Sequence, residues 1–352
     1  MISVPIENIY YLLCYAWNKL DERDLVNVSC TDSTNLLDLF ARVLSFGTGH
    51  LLKRGLDRGY VSSHDELILV RGHVDICSSI KRGILPLCRL ACEYDEMSYD
   101  VLHNRILKTT IGKLRNHPSI ARENQENLSS LYRRLHELRE IELAGSLFSK
   151  VQLHRNNAFY GFLMNICLLI YVNVLAKEGE GDYLFQDFIR DENKMGILFE
   201  QFVLNFMRIE VQPRQDGCKV IGSEYIKWDV LADDEAGSLL PQMRTDISVQ
   251  WPDRYQIIDT KFYGKTFQTY HEKDTIHSGN LYQLFAYLKN IEAREPRYKD
   301  CEGMLLYPTT AKEVNLDYVI QGHPVKIRTV NLNQTWQSIH QRLMDIAVVQ
   351  PN

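Results

Sequence analysis

The chain has 352 residues, is 45% hydrophobic and carries a formal net charge of −5. That length exceeds the ~100–200 residues of one typical domain, so two cores are expected. The charge excludes broad electrostatic coating of nucleic acid but leaves room for local phosphate sites.

The start, Met1-Ile2-Ser3-Val4-Pro5, lacks the basic and then apolar pattern of a leader, and the most apolar run, 162–176, contains Asn165 and Asn173. Crossing a bilayer takes ~20 apolar residues, so a cytoplasmic protein with no membrane contact is expected. The eight cysteines are scattered, and Cys88 and Cys92 have no second Cys or His pair beside them. They read as reduced core thiols, not as a zinc site.

Ile6, Ile9, Tyr10, Leu12, Leu13, Ala16 and Trp17 repeat at helical spacing, predicting a helix over 6–20 whose aromatics read as core; a second helix is predicted over 34–53. Over 66–80 the apolar residues Ile68, Val70, Val74 and Ile76 alternate, and 86–93 returns after Lys81-Arg82-Gly83, which predicts a β-hairpin or small barrel. Helical spacing resumes over 98–116, 123–140 and 155–176. The loop-like Arg155-Asn156-Asn157 marks the expected boundary between domains 1–155 and 156–352. Beyond it come a helix (191–209), strands (217–229, 242–251, 255–262), a helix (276–291), a strand (303–308), two more strands and a final helix (333–348). This order predicts an α/β (α+β) domain with a central mixed sheet flanked by helices.

Arg244-Thr245-Asp246-Ile247 and Ile257-Ile258-Asp259-Thr260-Lys261 flank the turn signal Pro252-Asp253-Arg254. With the turn centred on Asp253, Asp246 faces Thr260, and Asp259 and Lys261 project to one side of their strand. Two carboxylates and an ammonium then converge. Carboxylates suit a hard divalent cation such as Mg²⁺, and Lys261 could position or help deprotonate the attacking water or stabilise the transition state, the mixture that phosphodiester hydrolysis needs. Alone, D-x12-D-x-K is short enough to be a solvated surface pattern. Context strengthens it: the apolar Ile257-Ile258 places Asp259 at the end of a buried strand. Glu200, on the helix before the sheet, is a further candidate ligand. Gln283 and Tyr287, one turn apart on a helix, could line a phosphate groove. Gly264-Lys265-Thr266 lacks the upstream glycine of a nucleotide-binding loop, so no NTP site is assigned to this chain.

The D-x-K strand followed by a Q-x3-Y helix resembles the PD-(D/E)xK nuclease superfamily, in particular its RecB-like branch. Ordered stretches extend a more specific resemblance along the chain: PIENIYYLLCYAW at 5–17, NRILK at 104–108, LYRRL at 131–135, YIKWD at 225–229, LPQMRTDI at 240–247, IDTK at 258–261, NLYQ at 280–283 and LYP at 306–308. Together they resemble the McrC family, nuclease subunits of McrBC modification-dependent restriction systems. The resemblance implies a type IV restriction endonuclease that cuts double-stranded DNA carrying modified cytosine. It implies catalytic roles for Asp246, Asp259 and Lys261, with Glu200 and Gln283 assisting, and Mg²⁺ on Asp246, Asp259 and Glu200. It also implies a partner, a hexameric McrB-like AAA+ ring that binds GTP itself and is engaged and stimulated by the N-terminal domain, where the 66–93 hairpin is best placed to reach it. Two alternatives stay open: a non-catalytic assembly and activator subunit of such a motor, and a stand-alone RecB-like nuclease.

Overall fold

The computed structural model describes residues 4–18, 35–154, 157–174, 191–230, 239–263, 268–270, 273–295, 298–310 and 313–347. The chain divides into two compact units, one of residues 24–185 and one that joins 1–23 to 186–352. This division departs from the expected boundary at 155, and two helices account for the difference.

The first is α1 (Ile6–Ala16). It packs within the second unit, where Asn8 Nδ2 donates to Leu332 O at 2.8 Å and Gln334 O at 2.7 Å. Tyr10 and Tyr11 are buried, as expected of core aromatics, whereas Trp17 is only half-buried; Tyr15, not singled out by the spacing, is buried as well.

The 24–185 unit begins with α2 (Leu36–Arg54), whose N-cap Asn35 accepts from Asp38 N. Then follow β1 (Gly59–Leu67), β2 (His73–Val74), α3 (Ile76–Lys81) and β3 (Leu90–Ser98). The sheet is antiparallel in the order β1-β3-β2, with Gly59 opposite Ser98 and Leu67 opposite Leu90. The hairpin therefore pairs 59–67 with 90–98, further apart in sequence than expected. Asp75 is the reason: its carboxylate accepts from Ser78 N at 2.9 Å and starts a helix where alternation had suggested strand.

Helices α4 (Leu102–Leu114), α5 (Arg122–Arg134), α6 (Gly145–Phe148) and α7 (Ala158–Asn173) complete the unit. The second helix behind the shifted boundary is α7. Apolar on most faces, it packs against α2 and α4. A Cβ on Gly47 of α2 would lie 2.6 Å from Leu163 Cδ2, so glycine permits that approach.

The other unit continues with α8 (Glu192–Phe206), β4 (Lys219–Gly222), β5 (Tyr225–Ile226), β6 (Met243–Arg244), β7 (Ile247–Gln250) and β8 (Tyr255–Thr260). It closes with β9 (Gln268–Tyr270), β10 (Lys273–Thr275), α9 (Ser278–Arg294), β11 (Glu302–Thr309), β12 (Asn315–Ile320), β13 (His323–Asn331) and α10 (Trp336–Ala347). Six strands form one sheet in the order β12-β13-β11-β8-β7-β4. β11 runs parallel to β8 and β13, and the other pairings are antiparallel, so the sheet is mixed and flanked by helices, as expected.

Among the described residues no helix is long and apolar enough to cross a membrane. The described cysteines are free; Cys77 and Cys88 are exposed, so those two are not core thiols. Residues 264–266, considered above as a nucleotide-binding loop, lie outside the described residues.

Candidate active site

Every residue of β8 is buried. Tyr255 and Ile257 enter the core formed with Leu284, Tyr287 and Leu288 of α9. A strand alternates its faces, so two residues further on Asp259 points to that same side, where the apolar filling ends. Its carboxylate is fully buried, and Oδ1 has no hydrogen-bond donor among the described residues.

The β7–β8 hairpin pairs Ile247 with Ile258 and Gln250 with Tyr255. Trp251 N donates to Arg254 O at 2.9 Å, which centres the turn between Pro252 and Asp253 instead of on Asp253. The ladder ends at the Ile247–Ile258 pair, one residue off the expected register, and Asp246 precedes it in a bend. Thr260 still holds Asp246 in place: its N and Oγ1 donate to Asp246 Oδ2 at 2.7 and 2.9 Å.

Just past β8, Lys261 N donates to Leu306 O on β11 at 3.0 Å, so the backbone there remains attached to the sheet. Lys261 Nζ lies 2.9 Å from Asp259 Oδ2. The contact pairs Oδ2 with the ammonium and leaves Oδ1 buried without a donor among the described residues. Burial pushes Asp259 up to about 7; Lys261 opposes that shift, and Asp246 and Glu200 add to it. Burial alone would lower the Lys261 pKa, but the charge of Asp259 and its hydrogen bond, with Asp246 and Tyr263, together outweigh burial and raise it above the ordinary lysine value.

Glu200 on α8 is half-buried, and its pKa is raised by desolvation and then by Asp246, while Arg244 and Lys261 oppose. Thus three carboxylates repel one another around one ammonium. Among the described residues no three His, Cys, Asp or Glu side chains already form a cage for a metal ion. The expected trio is therefore a pair, Asp246 and Asp259, with Glu200 in electrostatic reach. The donor set nevertheless fits a hard divalent cation: all the ligands are carboxylates, one has an unpaired buried oxygen, and their repulsion is what a cation relieves.

Gln283 is exposed, and its Nε2 donates to Tyr287 Oη at 2.7 Å. Tyr287 Oη in turn donates to Arg244 O at 2.9 Å. Gln283 therefore reaches the carboxylates through Tyr287 and the backbone leading to Asp246. Sequence reasoning missed Asn280 and Tyr307. Asn280 Nδ2 donates to Tyr307 Oη and its Oδ1 accepts from Tyr263 Oη, both at 3.1 Å, which braces the segment after Lys261. The signal was present, since NLYQ and LYP each contain one of these residues, but nothing in either stretch tells that they meet. Arg244 was also passed over, because an exposed arginine beside a strand carries no distinguishing pattern.

A mixed sheet flanked by helices, with two aspartates and a lysine gathered where a buried central strand ends, defines an α/β protein of nuclease-like fold. The chain belongs to the McrBC family: the family described as "McrBC 5-methylcytosine restriction system component" matches residues 7–308. It is 32% identical over 344 residues to the type IV methyl-directed restriction enzyme EcoKMcrBC of Escherichia coli (strain K12), covering 97% of each chain. Its fold is similar to that of a chain in the refined half-complex from the tetradecameric assembly of Thermococcus gammatolerans McrB AAA+ hexamers with bound McrC. That match has a TM-score of 0.61 and 16% identity, and covers 97% of this chain and 76% of that one. A chain in the cryo-EM structure of the T. gammatolerans McrBC complex matches with a TM-score of 0.43 and 20% identity over 58% of each chain.

Proposed function

We propose that this chain is the DNA-cutting subunit of a modification-dependent restriction complex, hydrolysing phosphodiester bonds at Asp246, Asp259 and Lys261. The observation that carries the reading is the Asp259 carboxylate: buried, with one oxygen lacking a donor among the described residues, beside an ammonium and in electrostatic reach of a second carboxylate. Desolvating a carboxylate in this way costs stability, and functional sites are where such costs are retained.

Asp246 and Asp259 would hold Mg²⁺, with Glu200 as a further carboxylate. When bound, the ion supplies a water activated for attack and positive charge for the phosphate. The chain's own residues do the rest. Lys261, whose Nζ lies 2.9 Å from Asp259 Oδ2, would supply positive charge for the phosphate beside the metal-holding carboxylates. Tyr287 fixes the segment that carries Asp246, and Thr260 holds that carboxylate from its other side.

The E. coli relative is named as a methyl-directed enzyme, and the archaeal assembly contains McrB AAA+ hexamers with bound McrC. By that relationship the substrate is double-stranded DNA carrying 5-methylcytosine-type marks, and the partner is a McrB-like GTPase ring. Ile68, Leu69 and Val70, which are 71%, 82% and 63% exposed between β1 and β2, offer the partner an apolar surface. The same surface supports the second reading, an activator of the motor, and one chain can do both.

Purified chain, partner, GTP, Mg²⁺ and methylated DNA test the proposal together. Asp259→Ala should abolish cutting and leave GTP turnover intact; full cutting by that variant would sink the site assignment.

A further inference from the structure

Between the end of α4 and one face of α5 lies a cleft of about 430 Å³, lined by Arg115, Asn116, Arg122, Gln125, Ser129 and Arg133, with Glu126 as its one acid. Residues 122, 125, 126, 129 and 133 recur at three- and four-residue steps, so they share one face of α5. The opposite face buries Asn124, Leu128 and Leu131. The cleft is thus a built groove between two helices, with its polar side chains turned outward.

Its charge departs from that of the rest of the protein. Residues 113–139 hold six basic against three acidic residues, in a chain of net charge −5. Arg122 pairs with Glu126 at 3.0 Å. Arg115 and Arg133 have no carboxylate partner among the described residues. The Arg115 guanidinium lies 4.0 Å from the centre of the Tyr132 ring, and its Nε is buried without an acceptor. A guanidinium stacked on an aromatic and short of acceptors is preorganised for a planar anion contact.

We infer that this cleft binds phosphate groups of the DNA backbone, as a second nucleic-acid contact in the unit that lacks the candidate active site. Arginine forks with Asn, Gln and Ser beside them are the side chains that phosphates recruit. A protein partner would demand an apolar centre, and no Leu, Ile, Val, Phe or Met lines this cleft. From Arg122 to Arg133 the helix rises roughly 16 Å at ~1.5 Å per residue, enough to meet more than one phosphate. The inference rests on the reading of the chain as a DNA-acting protein. It makes that contact separable from cutting.

The test is fluorescence anisotropy of a labelled 30-base-pair duplex with the full chain over a range of salt concentrations. Arg133→Glu, at an exposed position, and Ser129→Glu, at a half-buried one, with thermal unfolding confirming that both fold, should each weaken binding about tenfold and reduce the logarithmic salt slope by about one. Glu126→Gln should tighten binding about threefold on the same electrostatic logic. Cutting by both glutamate variants with partner and saturating DNA should match that of the parent, which separates failure of this contact from failure of the active-site reading. Unchanged affinity and slope in both glutamate variants, or no salt-dependent binding by the parent chain, would overturn the inference. If those variants instead lose association with the AAA+ partner, the cleft is a protein surface and the inference fails.

Discussion

Tyr287 donates its hydroxyl to the backbone carbonyl of Arg244 at 2.9 Å. The contact links helix α9 to the strand segment that delivers Asp246 two residues later. Gln283, one turn before Tyr287, donates to the same hydroxyl and orients it.

Removing that hydroxyl should affect catalysis more than folding. Tyr287→Phe loses two hydrogen bonds, to Arg244 O and from Gln283 Nε2, together worth about 1–2 kcal/mol of stability. The displaced carboxylate should slow cutting by about tenfold to a hundredfold, with DNA affinity unchanged. Gln283→Ala should slow it less, because Tyr287 keeps its bond to Arg244. Single-turnover cleavage beside equilibrium DNA binding checks both; equal losses in cutting and binding would rule out the positioning role.

Gly303 marks where α9 meets the sheet most closely. A Cβ there would lie 2.9 Å from Leu284 Cδ2 and 3.0 Å from Leu288 Cδ1. Gly303→Ala should therefore cost about 1–3 kcal/mol through overpacking and shift α9 outward. Thermal unfolding should show a lower midpoint, and cutting should fall further than stability alone explains, because Tyr287 moves with the helix.

In the 24–185 unit, Asp100 gives a pH dependence of definite sign. Burial alone would raise its pKa, but Arg105 donates to both carboxylate oxygens at 2.8 Å, and Arg139 adds bonds from its backbone N and Nε at 2.8 and 2.5 Å. These partners hold Asp100 below the ordinary carboxylate range. A depressed folded pKa gives stability that is complete above the unfolded value of about 3.9 and is lost as pH falls through the lower folded value. Asp100→Asn should cost on the order of 2 kcal/mol at pH 7. The gap between parent and variant should narrow as pH drops below about 4. Urea unfolding at pH 7 and pH 3.5 measures it, and a constant gap would exclude the linkage.

Much of this was legible in the sequence. The order of strands and helices in 186–352 follows from periodicity, and Asp259 and Lys261 fall on one side of β8 because strands alternate. The register of the β7–β8 hairpin was off by one residue, since Pro252-Asp253 forms a two-residue turn whose centre no residue marks. The domain boundary was harder to read. Helical spacing shows that α1 has an apolar face, but the partner of that face lies near residue 200 in sequence, and periodicity carries no information about contacts so distant.

That distant partnership predicts how the protein responds to dissection. Tyr11 and Tyr15 of α1 meet Phe202 of α8 edge-on, with ring centres 5.8 and 5.5 Å apart, and Asn205 donates to Tyr15 O and Ala16 O at 3.0 Å. A 186–352 fragment should be unstable and aggregate, and adding a peptide of residues 1–23 should restore its fold. A fragment that is monomeric and cooperatively folded without the peptide would contradict this.

The position of α1 also sets a timetable for synthesis. Its residues leave the ribosome first, yet α8, against which they pack, is made roughly 170 residues later, a delay on the order of 10–30 s at ordinary elongation rates. The 24–185 unit can mature in that interval, while the sheet bearing the two aspartates waits for both ends of the chain. A polypeptide stopped before α8 would hold the 24–185 unit and neither aspartate, and the second unit forms only once both of its sequence segments exist.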